Sequence, residues 1–107
     1  MSCQIVLTTA PNLKEARQIA SVLLDSKLAA CVTILPGAES HYHWRAKRER
    51  SKEFVLLIKS RAKLFDRIRK TIQKNHTYDV PEILALSVSK GSPDYLAWLK
   101  QETSSSF

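Results

Sequence analysis

Apolar positions along the chain change their period several times, and each change marks an element. Residues 4–10 are a short apolar run rich in β-branched side chains, closed by Pro11-Asn12, and read as a first strand. From Leu13 the spacing turns helical: Leu13, Ala16, Ile19, Ala20, Leu23 and Leu24 recur on one stripe, so a helix runs to about Asp25 or Ser26. Asn12 followed by Glu15 has the form of a capping box that starts it. Residues 28–35 are almost uniformly apolar, stop at the bulge signal Pro36-Gly37, and read as a second strand. Beyond that interruption residues 39–44 alternate, with Glu39, His41 and His43 on one face and Ser40, Tyr42 and Trp44 on the other, which continues the strand. Residues 45–51 form a charged hairpin tip, and residues 53–60 return as a third, antiparallel strand.

Ser60 is positioned to cap a second helix whose inner stripe is Leu64, Phe65, Ile68 and Ile72. Val80-Pro81 forces extended backbone, so that helix stops by about Asn75. Residues 81–88 read as a fourth strand, Gly91 breaks it, and Ser92-Pro93 opens a last helix made amphipathic by Tyr95, Leu96, Trp98 and Leu99. The tail at 103–107 is expected to fray. This β-α-β-β-α-β order with a short C-terminal helix is the split βαβ plan, an α+β ferredoxin-like sandwich with an extended hairpin between its second and third strands. Two helices cover only one face of such a sheet. Yet residues 5–7, 28–32, 54–58 and 83–86 are apolar on both parities, so the second face is expected to be buried against other copies of the chain.

With 107 residues, the chain holds one domain, 1–107. No window reaches the roughly 18 consecutive apolar residues of a membrane span, and Met1-Ser2-Cys3-Gln4 lacks the basic-then-apolar pattern of a leader; the expected address is the cytoplasm, with no membrane partner. Cys3 and Cys31 read as free thiols. Charge changes the picture more. Of the net +7, residues 45–74 carry +9, with 12 Lys or Arg against Glu49, Glu53 and Asp66, and the remainder carries −2. Such a block attracts anions, but no aromatic residue lies within 45–52 to stack on bases, so nucleic acid is not an expected partner. Neither Gly37 nor Gly91 belongs to a phosphate loop, and no nucleophile, base and orienting residue can be assigned together, so the chain is not expected to be an enzyme.

The densest chemistry lies in residues 76–83, where an imidazole, a phenol and two carboxylates fall within eight positions. His76 and Glu82 are candidate metal ligands there, the alternative being an ordinary helix-to-strand turn. Glu39, His41 and His43 form a second candidate set, because alternate residues of a strand point the same way. Imidazole and carboxylate suit Cu(II) or Zn(II), with positions left over for water or a neighbouring chain. Tyr42 and Trp44 share a face of a hairpin too long for one subunit's core and are expected to anchor an interface.

Six strings, residues 9–11, 27–32, 35–40, Tyr42 with Trp44, 76–83 and 94–99, together resemble the CutA family of divalent-cation tolerance proteins. The resemblance covers nearly the whole chain. It implies a ferredoxin-like subunit in a tight homotrimer, similar in architecture to PII signalling proteins, cytoplasmic in bacteria, and linked to copper and other divalent cations without an enzymatic reaction. An alternative in the same architecture is PII-like binding of a small anion by basic residues across a subunit cleft. Some bacterial members carry a metal-binding cysteine and histidine where this chain has Thr8 and Asn75, and only Glu82 of that set is retained. Thr77 replaces a usual proline, and Arg45-Ala46 stands where an acidic residue and glycine are common. Divalent-cation binding is therefore expected to be weak and to rest on imidazole and carboxylate.

Overall fold

The computed structural model describes residues 2–103. Its elements follow in the order β1 (Cys3–Ala10), α1 (Leu13–Asp25), β2 (Cys31–Trp44), β3 (Lys47–Arg61), α2 (Phe65–Asn75), β4 (Ile83–Ser87) and α3 (Pro93–Gln101). The sheet order is β2-β3-β1-β4 with every pair antiparallel, which is the ferredoxin-like arrangement. Helices α1 and α2 pack on one face. There Val6, Leu56 and Ile58 from the sheet meet Ile19, Leu23, Ile68 and Ile72, all essentially without solvent exposure. Each such side chain contributes about 1.5–3 kcal/mol of burial, so this layer is the main source of stability. Both cysteines are free, Cys3 buried and Cys31 half-buried.

The opposite face is apolar as well. Register aligns Leu7 with Leu57 and Leu84, Ile5 with Leu86, and Leu35 with Val55. Helix α3 packs against β3, buries Leu99, and is tied down where the Arg61 Nε donates to the Thr103 Oγ1 at 2.9 Å. It does not cover the whole surface: Leu35, Leu84 and Leu86 remain 45%, 57% and 52% exposed. Of the tail expected to fray at 103–107, Thr103 is instead buried and hydrogen-bonded to Arg61 and the Leu99 carbonyl, and 104–107 lie outside the described residues.

Several boundaries differ from expectation. Strand β2 begins at Cys31 rather than at residue 28, because the Leu28 and Ala29 amides both fold back to donate to the Leu23 carbonyl, at 3.0 and 3.2 Å. Lys27 adopts a left-handed φ of 62° to allow that reversal. Ser60 is not a helix cap. It is buried within β3, where its hydroxyl donates to the Leu28 carbonyl, and a 3-10 turn over Ala62–Leu64 leads into an α2 with no side-chain cap. Strand β4 spans only five residues. The bulge at Pro36-Gly37 is present as a register shift between Leu35 and Ala38, with Gly37 at φ 81°.

The hairpin tip is also shorter than the charged run that suggested it. Pairing continues through His41 with Arg50, Tyr42 with Glu49 and Trp44 with Lys47, leaving only Arg45 and Ala46 to turn. Their φ values are 52° and 66°, the doubly left-handed conformation that two-residue hairpins favour and that glycine or asparagine normally occupies. The left-handed state costs a residue with a Cβ roughly 1–2 kcal/mol. Ala46→Gly is expected to raise stability by about 0.5–1 kcal/mol after the extra freedom of glycine in the unfolded chain is subtracted. Chemical denaturation checks this, and an unchanged or lower midpoint counts against strain at the tip.

Candidate functional site

Helix α2 ends at Asn75, whose carboxamide folds back to donate to the Thr71 carbonyl at 2.8 Å. The chain then extends through His76, whose side chain is fully buried. The His76 Nε2 donates to the Thr9 carbonyl of β1 at 2.7 Å, while its Nδ1 accepts the Tyr78 amide at 3.0 Å. A carbonyl requires a donor and an amide requires an acceptor, so these two bonds match the tautomer that carries its proton on Nε2. Glu15, in the first turn of α1, accepts the Thr77 amide at 3.3 Å and lies 3.3 Å from the His76 Nδ1. The capping box is thus half realised. Asn12 accepts the Glu15 amide at 2.8 Å as expected, but the Glu15 carboxylate leaves its helix to hold the turn after α2.

Tyr78 carries the turn across to β3. Its ring centroid sits 4.7 Å from that of His76, and its hydroxyl donates to the Glu53 Oε2 at 3.1 Å. Burial first, then the hydrogen bond to Glu53 and that carboxylate's charge, push the Tyr78 phenol up to about 12. Glu53 is itself buried, at 6% exposure.

Between this turn and the hairpin lies a cleft of about 610 Å³. Glu53, Asp79 and Glu82 line it with carboxylates, Tyr42, Trp44 and Tyr78 with rings, and among the described residues no Lys or Arg reaches it. Glu82 and the His41 segment of β2 both border this space, but strand alternation puts the His41 side chain on the face opposite Tyr42 and Trp44. His41 also bonds through its Nε2 to the Glu39 Oε1 at 2.7 Å, whereas His43 lies exposed farther along the same strand. His76 does not line this cleft; it borders a smaller hollow on the other side of the turn, beside Glu15 and Asn75. Among the described residues no group of three or more His, Cys, Asp or Glu is arranged to hold a metal ion, so one chain brings pairs of donors rather than a closed cage. Thr8 is wholly buried in the sheet core, and its hydroxyl has no hydrogen-bond partner. Glu15 and Glu53 were not singled out in the sequence; only the spacing of Glu15 from Asn12 marked it, and for another role.

The raised Tyr78 value fixes the sign of an alkaline effect. Between the ordinary phenol value near 10 and about 12, the unfolded chain loses this proton while the folded chain keeps it, so stability falls as pH rises through that window. Below it the contribution is constant. Tyr78→Phe is expected to remove the latest phenolate step from an alkaline absorbance titration and to flatten the stability loss above pH 10; an unaltered late step would contradict the Glu53 bond.

The chain's relatives share this arrangement of elements. A protein-family model described as "CutA1 divalent ion tolerance protein" matches residues 4–102. The chain is 42% identical over 99 residues to "Protein CutA, chloroplastic" of Arabidopsis thaliana, covering 92% of this chain and 54% of that protein. It is 45% identical over 95 residues to the "Divalent-cation tolerance protein CutA" of Pectobacterium atrosepticum, covering 89% and 86% of the two. The chain thus spans little more than half the length of the plant relative. The crystal structure of CutA1 from Oryza sativa superposes with a TM-score of 0.96 at 40% identity, covering 99% of this chain and 97% of that one. With a family model spanning nearly its full length and a bacterial relative matched over most of both chains, this chain belongs to the CutA1 divalent ion tolerance family.

Proposed function

We propose that this chain is a non-catalytic subunit of a cytoplasmic homotrimer that binds divalent metal ions, Cu(II) among them, as part of tolerance toward such ions. The observation that carries the metal reading is the set of carboxylates, Glu53, Asp79 and Glu82, around one cleft that no lysine or arginine among the described residues lines, with His41 on the adjoining hairpin strand. A carboxylate and an imidazole are suitable donors for Cu(II) or Zn(II), and water or a neighbouring chain completes the coordination. Glu39 supports His41 from behind. His76 takes part differently: to coordinate a metal it would have to release Thr9 or Tyr78, so its role is to hold the turn that precedes Glu82. His43 is an outer candidate on the His41 face. The absence of basic residues from the cleft weighs against the PII-like alternative of anion binding there.

Support for the trimer comes from Leu35, Leu84 and Leu86, too exposed for a lone subunit and aligned on one sheet face. Tyr42 and Trp44, 40% and 43% exposed, anchor the neighbouring subunit at the rim of the cleft.

A test follows from the exposure of Leu84. On an isolated subunit, Leu84→Glu would be harmless, whereas at an interface it forfeits about 1.5–3 kcal/mol per copy and strands a charge. Sedimentation should give three times the 12.1 kDa chain mass for the wild type and a smaller species for the variant. A wild-type monomer at micromolar concentration would exclude the assembly.

For the metal, Cu(II) calorimetry on intact trimer should show Glu82→Gln and His41→Ala each weakening binding by roughly tenfold, the worth of one lost contact of about 1.4 kcal/mol. His76→Ala is expected instead to lower the melting temperature. Binding that survives the Glu82 and His41 changes but is abolished by His76→Ala would move the site to the hollow beside Glu15.

A further inference from the structure

The outer side of the helix layer carries more positive charge than helix stability favours. Arg67, Lys70 and Lys74 recur at helical spacing on one flank of α2, spanning about 10 Å of its axis, and Lys63 stands one turn earlier in the 3-10 segment that leads into it. Like charges three and four residues apart destabilise a helix, and cations near its start, where Lys63 and Arg67 lie, oppose the helix dipole. Only Lys74, in the last turn, suits its end. Asp66 is the single acid of α2, and its carboxylate is turned to Arg69, at 3.8 Å. Lys63, Lys70 and Lys74 have no ion-pair partner among the described residues.

This row of cations ends in a cavity. Lys74 and, from α1, Lys14 border a hollow of about 400 Å³ together with the carboxamides of Asn12, Gln18 and Asn75. Glu15 also borders it, with its carboxylate turned to the Thr77 amide. The helices cover the sheet face that carries Val6, Leu56 and Ile58, whereas Leu35, Leu84 and Leu86 occupy the other, so the assembly proposed above leaves the outer side of α2 open.

The chemistry of this surface narrows what it can hold. The exposed residues of α2, Asp66, Lys70, Gln73 and Lys74, are all polar, and its one aromatic ring, that of Phe65, packs against the core. Such a surface offers nothing that would stack on a base, insert into a bilayer or grip the apolar anchor of a partner protein. A line of cations running into a hollow rimmed by lysines and carboxamides matches instead a flexible ligand in which every unit is an anion. We infer that α2 and the hollow at its end bind linear inorganic polyphosphate, the chain lying along Lys63, Arg67, Lys70 and Lys74 with its terminal phosphate between Lys74 and Lys14. The site is independent of the proposed metal position, which lies on the other side of the turn after α2.

The experiment titrates the full chain by calorimetry, in sodium buffer with chelator, against sodium polyphosphate long enough to reach from Lys63 to Lys14 and, in parallel, against tripolyphosphate at equal phosphate concentration. The long chain should bind saturably, at least about tenfold more tightly than tripolyphosphate, and more weakly as salt rises. Lys70→Gln combined with Lys74→Gln should weaken it by at least about tenfold and lower the slope of log affinity against log salt by about one per lysine. Arg48→Gln combined with Lys52→Gln removes the same charge from the exposed hairpin and should change the affinity by less than about twofold. Melting temperature and sedimentation verify that each variant keeps the fold and assembly of the wild type. Equal losses in the two double variants would reduce the binding to the overall charge of the chain and overturn the inference. So would tripolyphosphate binding as tightly as the long chain. Tighter binding, at matched charge, of a single-stranded oligonucleotide, a glutamate-rich peptide or vesicles of anionic lipid would overturn it too, and would assign the helix to that partner.

Discussion

The imidazole of His76 is the joint on which the site hangs. It is fully buried, and both ring nitrogens are engaged by backbone, one holding β1 through Thr9 and the other holding the Tyr78 amide. Glu15 takes the next amide, that of Thr77. The Thr77 and Tyr78 amides are thereby both paired at the end of the helix-sheet core, where a buried orphan would cost about 1–3 kcal/mol. Tyr78 consequently falls where its hydroxyl meets Glu53, and Asp79 and Glu82 face the same space.

The second constraint is a sheet that is apolar on both sides. One face is closed by α1 and α2, the other partly by α3, with a leucine patch left open. Within the closed face Thr8 is an exception. It sits among apolar neighbours with an unpartnered hydroxyl, at the position where the resemblance implies a thiol in metal-binding relatives, and a thiol is less costly to bury than a hydroxyl. The unpartnered Thr8 hydroxyl therefore carries a small cost in the core.

Much of the fold was legible because local signals agreed with the tertiary arrangement. Asn12 caps α1, Pro36-Gly37 makes the bulge, and Pro93 begins α3 just as their backbone preferences require. Where reading failed, a distant partner had overruled a local signal. Ser60 has good capping chemistry, but the Leu28 carbonyl, 32 residues away, claims its hydroxyl. The charged run after Trp44 reads as a loop, yet cross-strand pairing with residues 39–44 keeps it extended down to two turn residues. The site was half legible for the same reason. Residues 76–83 announced a concentration of donors, but no local pattern could reveal that His76 faces inward while Glu82 shares a cleft with Tyr42 and Trp44 of the hairpin, since that depends on how two elements meet.

The uneven charge has a kinetic consequence. At distances beyond the Debye length of about 8 Å in physiological salt, an approaching cation sees little of the molecule; just inside it, the basic hairpin and α2 repel it. Only at the mouth of the cleft does the sign reverse, because no lysine or arginine lines it. For a cation held there as proposed, arrival and retention would respond to salt in opposite directions: added salt would lower the outer barrier and speed entry, and would loosen the grip of Asp79 and Glu82 and speed escape. An anion meets the reverse profile, drawn to the hairpin and turned away at the cleft. If the cleft holds a cation as proposed, the surrounding excess of positive charge would act as a gate that slows its approach.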